Sequence, residues 1–208
     1  MIVKKTIRYI ILFVLIGFVG YKSVYIKKLD TIQSSTEEKF EASVFTQKLW
    51  ETSLPNRLDS AVALTKLIAE VNLAPTKALE HYTYAMAIGN YRYALVSFHA
   101  QVKEIHEDDC LVEAEGVGSV KLATEFIYGN AIRDASNLLQ LKDFPNSADL
   151  NSVSEALNKI VRTTVLPSFK KDVQVGDHLS IIGAIEINQA HLNWKELEVI
   201  PVRLQIQP

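Results

Sequence analysis

The stretch that decides the fold is residues 91–126, YRYALVSFHAQVKEIHEDDCLVEAEGVGSVKLATEF. From position 94 to position 102 the even positions are apolar, whereas serine, histidine and glutamine occupy odd positions. An alternation with a period of two indicates a strand with one buried face. An acidic turn at Glu107–Asp109 and a pair of glycines then delimit two further predicted strands, Cys110–Glu115 and Ser119–Phe126. The stretch therefore predicts an antiparallel meander of three strands.

The chain after the meander predicts a helical insertion followed by two more strands. The insertion covers about residues 131–166, with Asn151 or Ser152 as the cap of its second helix and Pro167 as its end. The phrase VGDHLSIIGAIEI, residues 175–187, indicates a turn and a strand, and a last strand follows at about 197–206. Three strands, a helix and two strands are the order of a five-stranded OB-type barrel. The predicted fold class is α+β, with a five-stranded, antiparallel OB-like barrel over residues 91–208; a plain α+β sandwich remains the alternative.

Residues 29–90 predict a helical segment that precedes the barrel. Apolar residues recur at helical spacing up to Trp50 and again from Leu58 to Val71. Pro75 suits the first turn of a third helix that reaches about Ala87.

The first 28 residues differ from the rest and predict a membrane anchor. Basic residues lie on both sides of the charge-free run YIILFVLIGFVGY, residues 9–21. With Arg8 and Lys22 extended outward, residues 7–26 are long enough to cross a bilayer. No small-residue cleavage site follows the run. We therefore expect a retained signal-anchor in the inner (cytoplasmic) membrane, with the C-terminal domain in the periplasm or outside the cell.

The charge of the chain is unevenly distributed. The formal net charge is −2, from 22 basic and 24 acidic residues. Six basic residues and no acidic ones lie in the first 28 positions, so the remainder carries 16 basic and 24 acidic residues, a net −8. A domain of that charge repels phosphate backbones, and nucleic acid is excluded as a partner.

The sequence contains no familiar catalytic or cofactor-binding motif, and we predict neither a metal nor a cofactor. Residues 106–110, HEDDC, hold the densest polar cluster, and carboxylates with a histidine could ligate a divalent ion. Aspartate is also a preferred turn residue, which makes a solvated turn the simpler interpretation. Cys110 alternates with Val112 and Ala114, so we expect it to be a small buried side chain.

The segment YGNAIRD, residues 128–134, is the strongest candidate for specific binding. Gly129 permits a tight exit from the third strand, and Asn130 can cap the next helix. Arg133 could hold a carboxylate or phosphate, or could tie the helix to the barrel through an ion pair. Arg133 and Asp134 are adjacent, diverge by about 100° on a helix, and are not expected to pair with each other. With a tryptophan of the last loop, the candidate binding residues are Tyr128, Gly129, Asn130, Arg133, Asp134 and Trp194.

Several phrases of the chain resemble a bacterial family of predicted periplasmic lipoproteins, the domain of unknown function 2291 family. They include GYKSVYIKKLD at 20–30, YGNAIRDAS at 128–136 and VGDHLSIIGA at 175–184. The family typically carries a lipobox cysteine after its apolar run, and Tyr21 stands at that place here. Its members have no established activity and look like companions of sugar-uptake ABC transporters.

The sequence as a whole favours a non-enzymatic, membrane-anchored accessory protein that binds a transporter component or a small ligand. One alternative is an enzyme of unrecognised type that uses Arg133 and Asp134, which requires both side chains to face one cavity. Finding both residues on the seam between helix and barrel, paired and buried, would remove that enzyme. A second alternative is an OB-type oligosaccharide binder.

Overall fold

The structure is a computed structural model that describes residues 40–86 and 88–207 of the 208-residue chain. The residues from Glu41 onward form one compact unit. The anchor predicted at residues 7–26 lies outside the described residues, and so does the predicted end of the third helix at Ala87. Among the helices of residues 40–86 and 88–207, none combines the length and the apolar character that a membrane crossing requires.

Four helices and one short strand precede the barrel. They are α1 (Ala42–Thr52), α2 (Leu54–Asp59), β1 (Val62–Ala63), α3 (Leu64–Leu73) and α4 (Pro75–Tyr82). The predicted continuous helix from Leu58 to Val71 is wrong, because β1 interrupts it. The backbone of Val62 and Ala63 pairs in parallel with a barrel strand at Val96 and Ser97.

Five strands close into a barrel: β2 (Tyr91–Ile105), β3 (Asp109–Ala114), β4 (Gly118–Ala123), β5 (His178–Asn188) and β6 (Glu198–Ile206). Their order is β2-β3-β4-β6-β5, and β5 pairs with β2 to complete the circle. The β4–β6 pair is parallel, whereas the predicted barrel was antiparallel throughout. The helical insertion after β4 carries the chain across the barrel, so β5 pairs with β2 and β6 returns beside β4.

The barrel core follows the alternation that predicts the first strand. The inward side chains of β2 are buried: Ala94, Val96, Phe98, Ala100 and Val102. Leu64, Leu67 and Val71 of α3 belong to the same buried cluster, so this helix closes part of the core. Leu95 on the outer face of β2 is also buried, which shows that helices cover this face as well.

The insertion between β4 and β5 is longer than predicted. It comprises α5 (Ala131–Ser136), a 3₁₀ turn (Leu141–Asp143), α6 (Ser147–Ile160), a π-helical turn (Val161–Val165) and α7 (Leu166–Asp172). The side-chain oxygen of Asn146 accepts the backbone N–H of Asp149 at 2.9 Å and caps α6, so the predicted cap at Asn151 or Ser152 is wrong. Pro167 does not end the insertion, because it lies in the first turn of α7, where a missing N–H breaks no helical hydrogen bond.

Candidate functional site

The segment that leaves β4 is fixed at a turn that only glycine suits. Gly129 has φ +78°, in the left-handed region. Asn130 follows at the N-cap of α5, and its backbone oxygen accepts the N–H of Asp134 at 2.9 Å. The Asn130 side chain makes no capping hydrogen bond, so its predicted capping role is wrong. The Asn158 amide of α6 donates to the Gly129 carbonyl at 2.9 Å and holds the turn against the insertion.

Arg133 and Asp134 form an ion pair with each other, contrary to the prediction. Arg133 Nε donates to Asp134 Oδ1 at 2.6 Å, and the two side chains are only 5% and 6% exposed. All six residues of α5 are buried, so this short helix has no solvent face toward which one charge could diverge. A low dielectric favours pairing of the two charges. The predicted tie to the barrel is therefore replaced by a pair within the helix, and Arg133 Nη1 has no hydrogen-bond partner among the described residues.

Two strands bring further polar groups to this helix. Tyr93 on β2 lies directly opposite Glu186 on β5 in the paired strands. Burial raises the pKa of Tyr93, and the nearby carboxylates of Glu186 and Asp134 raise it further, whereas the Arg133 cation lowers it. The phenol thus stays protonated and remains a hydrogen-bond donor at neutral pH.

Three cavities adjoin at this place and share lining residues. The Arg133 cavity has a volume of about 340 Å³, the Tyr128 cavity about 360 Å³ and the Trp194 cavity about 190 Å³. Asn130 lines the first two and Tyr91 lines the first and third. We call the joined surface of the three cavities the Asn130 face.

All six candidate residues from the sequence lie on the Asn130 face. Tyr128, Gly129 and Asn130 line the Tyr128 cavity. Arg133 and Asp134 line the Arg133 cavity together with Asn130, and Trp194 lines the third. The structure therefore brings together two segments that are sixty residues apart in the chain.

The Tyr128 cavity has an aromatic wall. Phe126 and Tyr128 are both exposed, and their rings stack with centroids 6.4 Å apart and planes inclined by 25°. The Arg162 guanidinium lies 5.4 Å from the Tyr128 ring centroid, and Arg162 also donates to the Ile127 carbonyl. Arg162, in the π-helical turn after α6, thus fixes the position of this wall.

The carboxylates of the Asn130 face are the part that sequence reasoning missed. Glu186, Glu196 and Glu198 line the Tyr128 cavity, and the described residues provide none of them with an ion-pair partner. Glu196 accepts a hydrogen bond from the Asn193 amide at 3.0 Å. The only available signal was the outward position of Glu186 on its strand, which is common to most surface residues.

Trp194 lies in the loop between β5 and β6, as predicted. Its indole Nε1 donates to Asn72 Oδ1 at the end of α3, at 3.3 Å, and its ring packs against the core. The ring is therefore a fixed wall of its cavity rather than a side chain extended toward solvent.

The polar cluster at the β2–β3 turn is arranged as a solvated hairpin. The His106 ring contacts Asp109 at 2.7 Å and Glu104 at 3.0 Å, and the hydrogen bond to Asp109 raises the pKa of His106. Across the part of the chain that the structure describes, no three histidine, cysteine or carboxylate side chains could hold a metal ion. Cys110 is buried, as predicted, and burial raises the pKa of its thiol to about 11.

The barrel and its insertion define the class of the protein. A closed five-stranded barrel with a helical insertion between the third and fourth barrel strands is the OB fold. A crystal structure of an OB-fold protein from Thermotoga maritima is similar to this chain, with a TM-score of 0.70 and 25% sequence identity. The similarity covers 81% of this chain and 99% of that chain. The OB-like barrel predicted from the strand order is confirmed.

The chain is a member of a bacterial envelope family. The model of the predicted periplasmic lipoprotein family, DUF2291, matches residues 14–205, and the chain belongs to that family. The resemblance found in the sequence is thereby confirmed, and the family description supports the predicted extracytoplasmic location. A search of curated proteins finds no match.

Proposed function

We propose that this protein is a non-enzymatic, extracytoplasmic binding protein whose ligand occupies the Asn130 face. The observation that carries the proposal is the convergence of all six candidate residues on three adjoining cavities. Any two of these cavities have a lining residue in common, which is Asn130, Tyr91 or Glu186. Cavities of this size with aromatic walls and a few polar groups are typical of small-molecule sites. The ligand is expected to be a small polar molecule.

The chemistry of the face supports binding more than catalysis. Arg133 and Asp134 do line one cavity, which is one of the two conditions that an enzyme built on them requires. They are also paired and buried, so each charge is already neutralised by the other. This buried pairing is the arrangement that argues against an enzyme built on the two residues, since Asp134 Oδ1 already accepts the Arg133 N–H.

The expected setting of the protein is the periplasmic side of the inner membrane. Residues 7–26 are proposed as a single-pass anchor, and the family resemblance implies a role beside a sugar-uptake ABC transporter. A phosphatase reporter fused after Pro208 should be active, because the enzyme matures only outside the cytoplasm. An inactive fusion that is produced at a normal level would contradict this placement.

Closing the Asn130 face should abolish ligand binding without unfolding the barrel. Asn130 is exposed, and an Asn130→Trp side chain would enter both the Arg133 and the Tyr128 cavities. The full chain, extracted with its membrane, is incubated with the small-molecule fraction of a periplasmic extract, and its melting temperature is measured. We expect the extract to raise the melting temperature of the wild type, because a ligand that binds only the folded state stabilises it.

The matched control is Lys48→Trp, which adds the same side chain at an exposed position of α1. The extract should stabilise this variant as much as the wild type and should leave Asn130→Trp unchanged. Equal stabilisation of all three proteins, or of none, would contradict the proposed function.

A further inference from the structure

Arg133, which lines the Arg133 cavity, carries a buried donor that none of the described residues uses. Arg133 is one of the most buried charged side chains described, with 5% of its surface exposed, yet its Nη1 has no hydrogen-bond partner among the described residues. A buried N–H without a partner is costly, and native structures rarely keep one without a functional reason. Arg133 is one of the residues that line a cavity of about 340 Å³, and a ligand in that cavity could supply the missing acceptor.

The hydrogen-bonding capacity of the pair points to a ligand that both donates and accepts. A guanidinium has five N–H groups, and the contact with Asp134 uses the one on Nε. A carboxylate accepts through two oxygens, and the same contact uses only Oδ1 of Asp134. The pair therefore offers donors and an acceptor oxygen next to each other, which a hydroxyl group can satisfy in both directions.

The charges around the cavity favour an uncharged ligand. Arg133 and Asp134 cancel each other, and the Glu186 carboxylate beside Tyr93 leaves a negative excess. A phosphate or carboxylate ligand would be repelled by that excess, and a cationic ligand would meet the guanidinium. The remaining polar side chains of the lining are neutral groups such as Asn130 and Asn151.

The walls of the cavity are mainly apolar and partly aromatic. Tyr91 and Tyr93 contribute rings, and Met86, Leu141 and Leu150 contribute aliphatic surface. A ring of carbon atoms that carries hydroxyls on its rim would place C–H groups on these walls and hydroxyls on the ion pair. The volume is near the lower limit of about 300 Å³ for small-molecule sites, which suits a single sugar-sized ring.

We infer that the Arg133 cavity binds a neutral cyclic polyol of monosaccharide size, with hydroxyl groups on Arg133 Nη1 and on the second oxygen of Asp134. This inference rests on the proposed binding function and adds the ligand class. The ion pair of Arg133 and Asp134 then recognises the ligand, and the ring of the ligand stacks on Tyr91.

The test is isothermal titration calorimetry of the full chain with a set of neutral monosaccharides and, in parallel, the corresponding uronic acids and sugar phosphates. At least one neutral sugar should bind, and its acidic analogues should bind at least about tenfold more weakly, since they add a charge of the disfavoured sign. Tighter binding of the acidic analogues than of every neutral sugar would overturn the inference.

The decisive variant is Tyr91→Ala, with Leu73→Ala as its control. Both side chains are more than half exposed, so neither change should disturb folding. Loss of the stacking wall should weaken sugar binding about tenfold in Tyr91→Ala, whereas Leu73→Ala, which lies outside all three cavities of the Asn130 face, should bind nearly as the wild type does. Equal affinities of the two variants would overturn the inference.

The failure of this inference can be distinguished from the failure of the proposed function. In one outcome, no neutral sugar binds at millimolar concentration, but the periplasmic extract still stabilises the wild type and not Asn130→Trp. The inferred ligand class is then wrong, whereas the proposed binding function of the Asn130 face is supported. If the extract has no effect and no sugar binds, both are wrong. The variant Arg133→Lys keeps the positive charge but removes the Nη donors, so it should abolish sugar binding. Circular dichroism checks that the variant is folded. Unchanged sugar binding would overturn the contact assigned to Arg133 Nη1.

Discussion

Asp134→Leu is expected to lower the free energy of unfolding by about 3–5 kcal/mol, because it leaves the buried guanidinium of Arg133 without its counter-charge. Leucine has a similar size, so the loss reports the charge rather than a void. The measurement is equilibrium unfolding in urea, monitored by tryptophan fluorescence. A loss below about 1 kcal/mol, typical of an exposed pair, would contradict the buried arrangement.

The double variant Arg133→Met/Asp134→Leu separates two contributions to the free energy of unfolding: the cost of a buried charge without a partner, and the net contribution of the ion pair. Replacement of a whole buried ion pair by apolar residues is often neutral or stabilising. We therefore expect the double variant to recover most of the stability that Asp134→Leu loses. It should not recover sugar binding, because the donor and the acceptor are both gone.

Gly183→Ala is expected to destabilise the barrel by about 3 kcal/mol, at the upper end for an overpacked site. An ideal Cβ on Gly183 would lie 2.3 Å from Val199 Cγ1 and 2.8 Å from the Ile200 carbonyl oxygen. Val199 is fully buried and the carbonyl belongs to the paired strand β6, so neither can withdraw without separating β5 from β6. Urea unfolding gives the magnitude, and amide hydrogen exchange should show faster opening of β6.

Gly89→Ala is the control for this substitution. Apart from the two chain neighbours, no atom of the described residues lies within 4 Å of an ideal Cβ at Gly89, and the same methyl group should change stability by no more than about 0.5 kcal/mol. A loss in Gly183→Ala as small as in Gly89→Ala would show that β5 and β6 can move apart at little cost.

The barrel could be predicted because its signals are local. The alternation over residues 94–102 reflects one strand with a buried face, and the strand order restricts the topology to very few folds. The break between α2 and α3 has no such signal. Val62 and Ala63 leave the helical pattern because they pair with Val96 and Ser97, more than thirty residues further along the chain.

The sequence points to the candidate residues, but it does not give their arrangement. The segment of residues 128–134 has the glycine and polar residues that a binding turn requires, and these are visible in the sequence. The pairing of Arg133 with Asp134 depends on the burial of the whole of α5, which is decided by the elements packed around it. The place of Glu186 beside Tyr93 depends on the register of β5 against β2.

The closure of the barrel has a consequence for how the protein folds after export. The eleven residue pairs that join β2 to β5 connect positions from Gln101 and His178 to Tyr91 and Asn188, which are 77 to 97 residues apart. Contacts over such separations form slowly, since the entropy of closing the loop must be overcome first. A chain that crosses a membrane with its N-terminal part first presents β2 long before β5 emerges. The barrel can thus close only when nearly the whole polypeptide has been translocated. The barrel part of the chain therefore stays unfolded during translocation, when an unfolded chain is required.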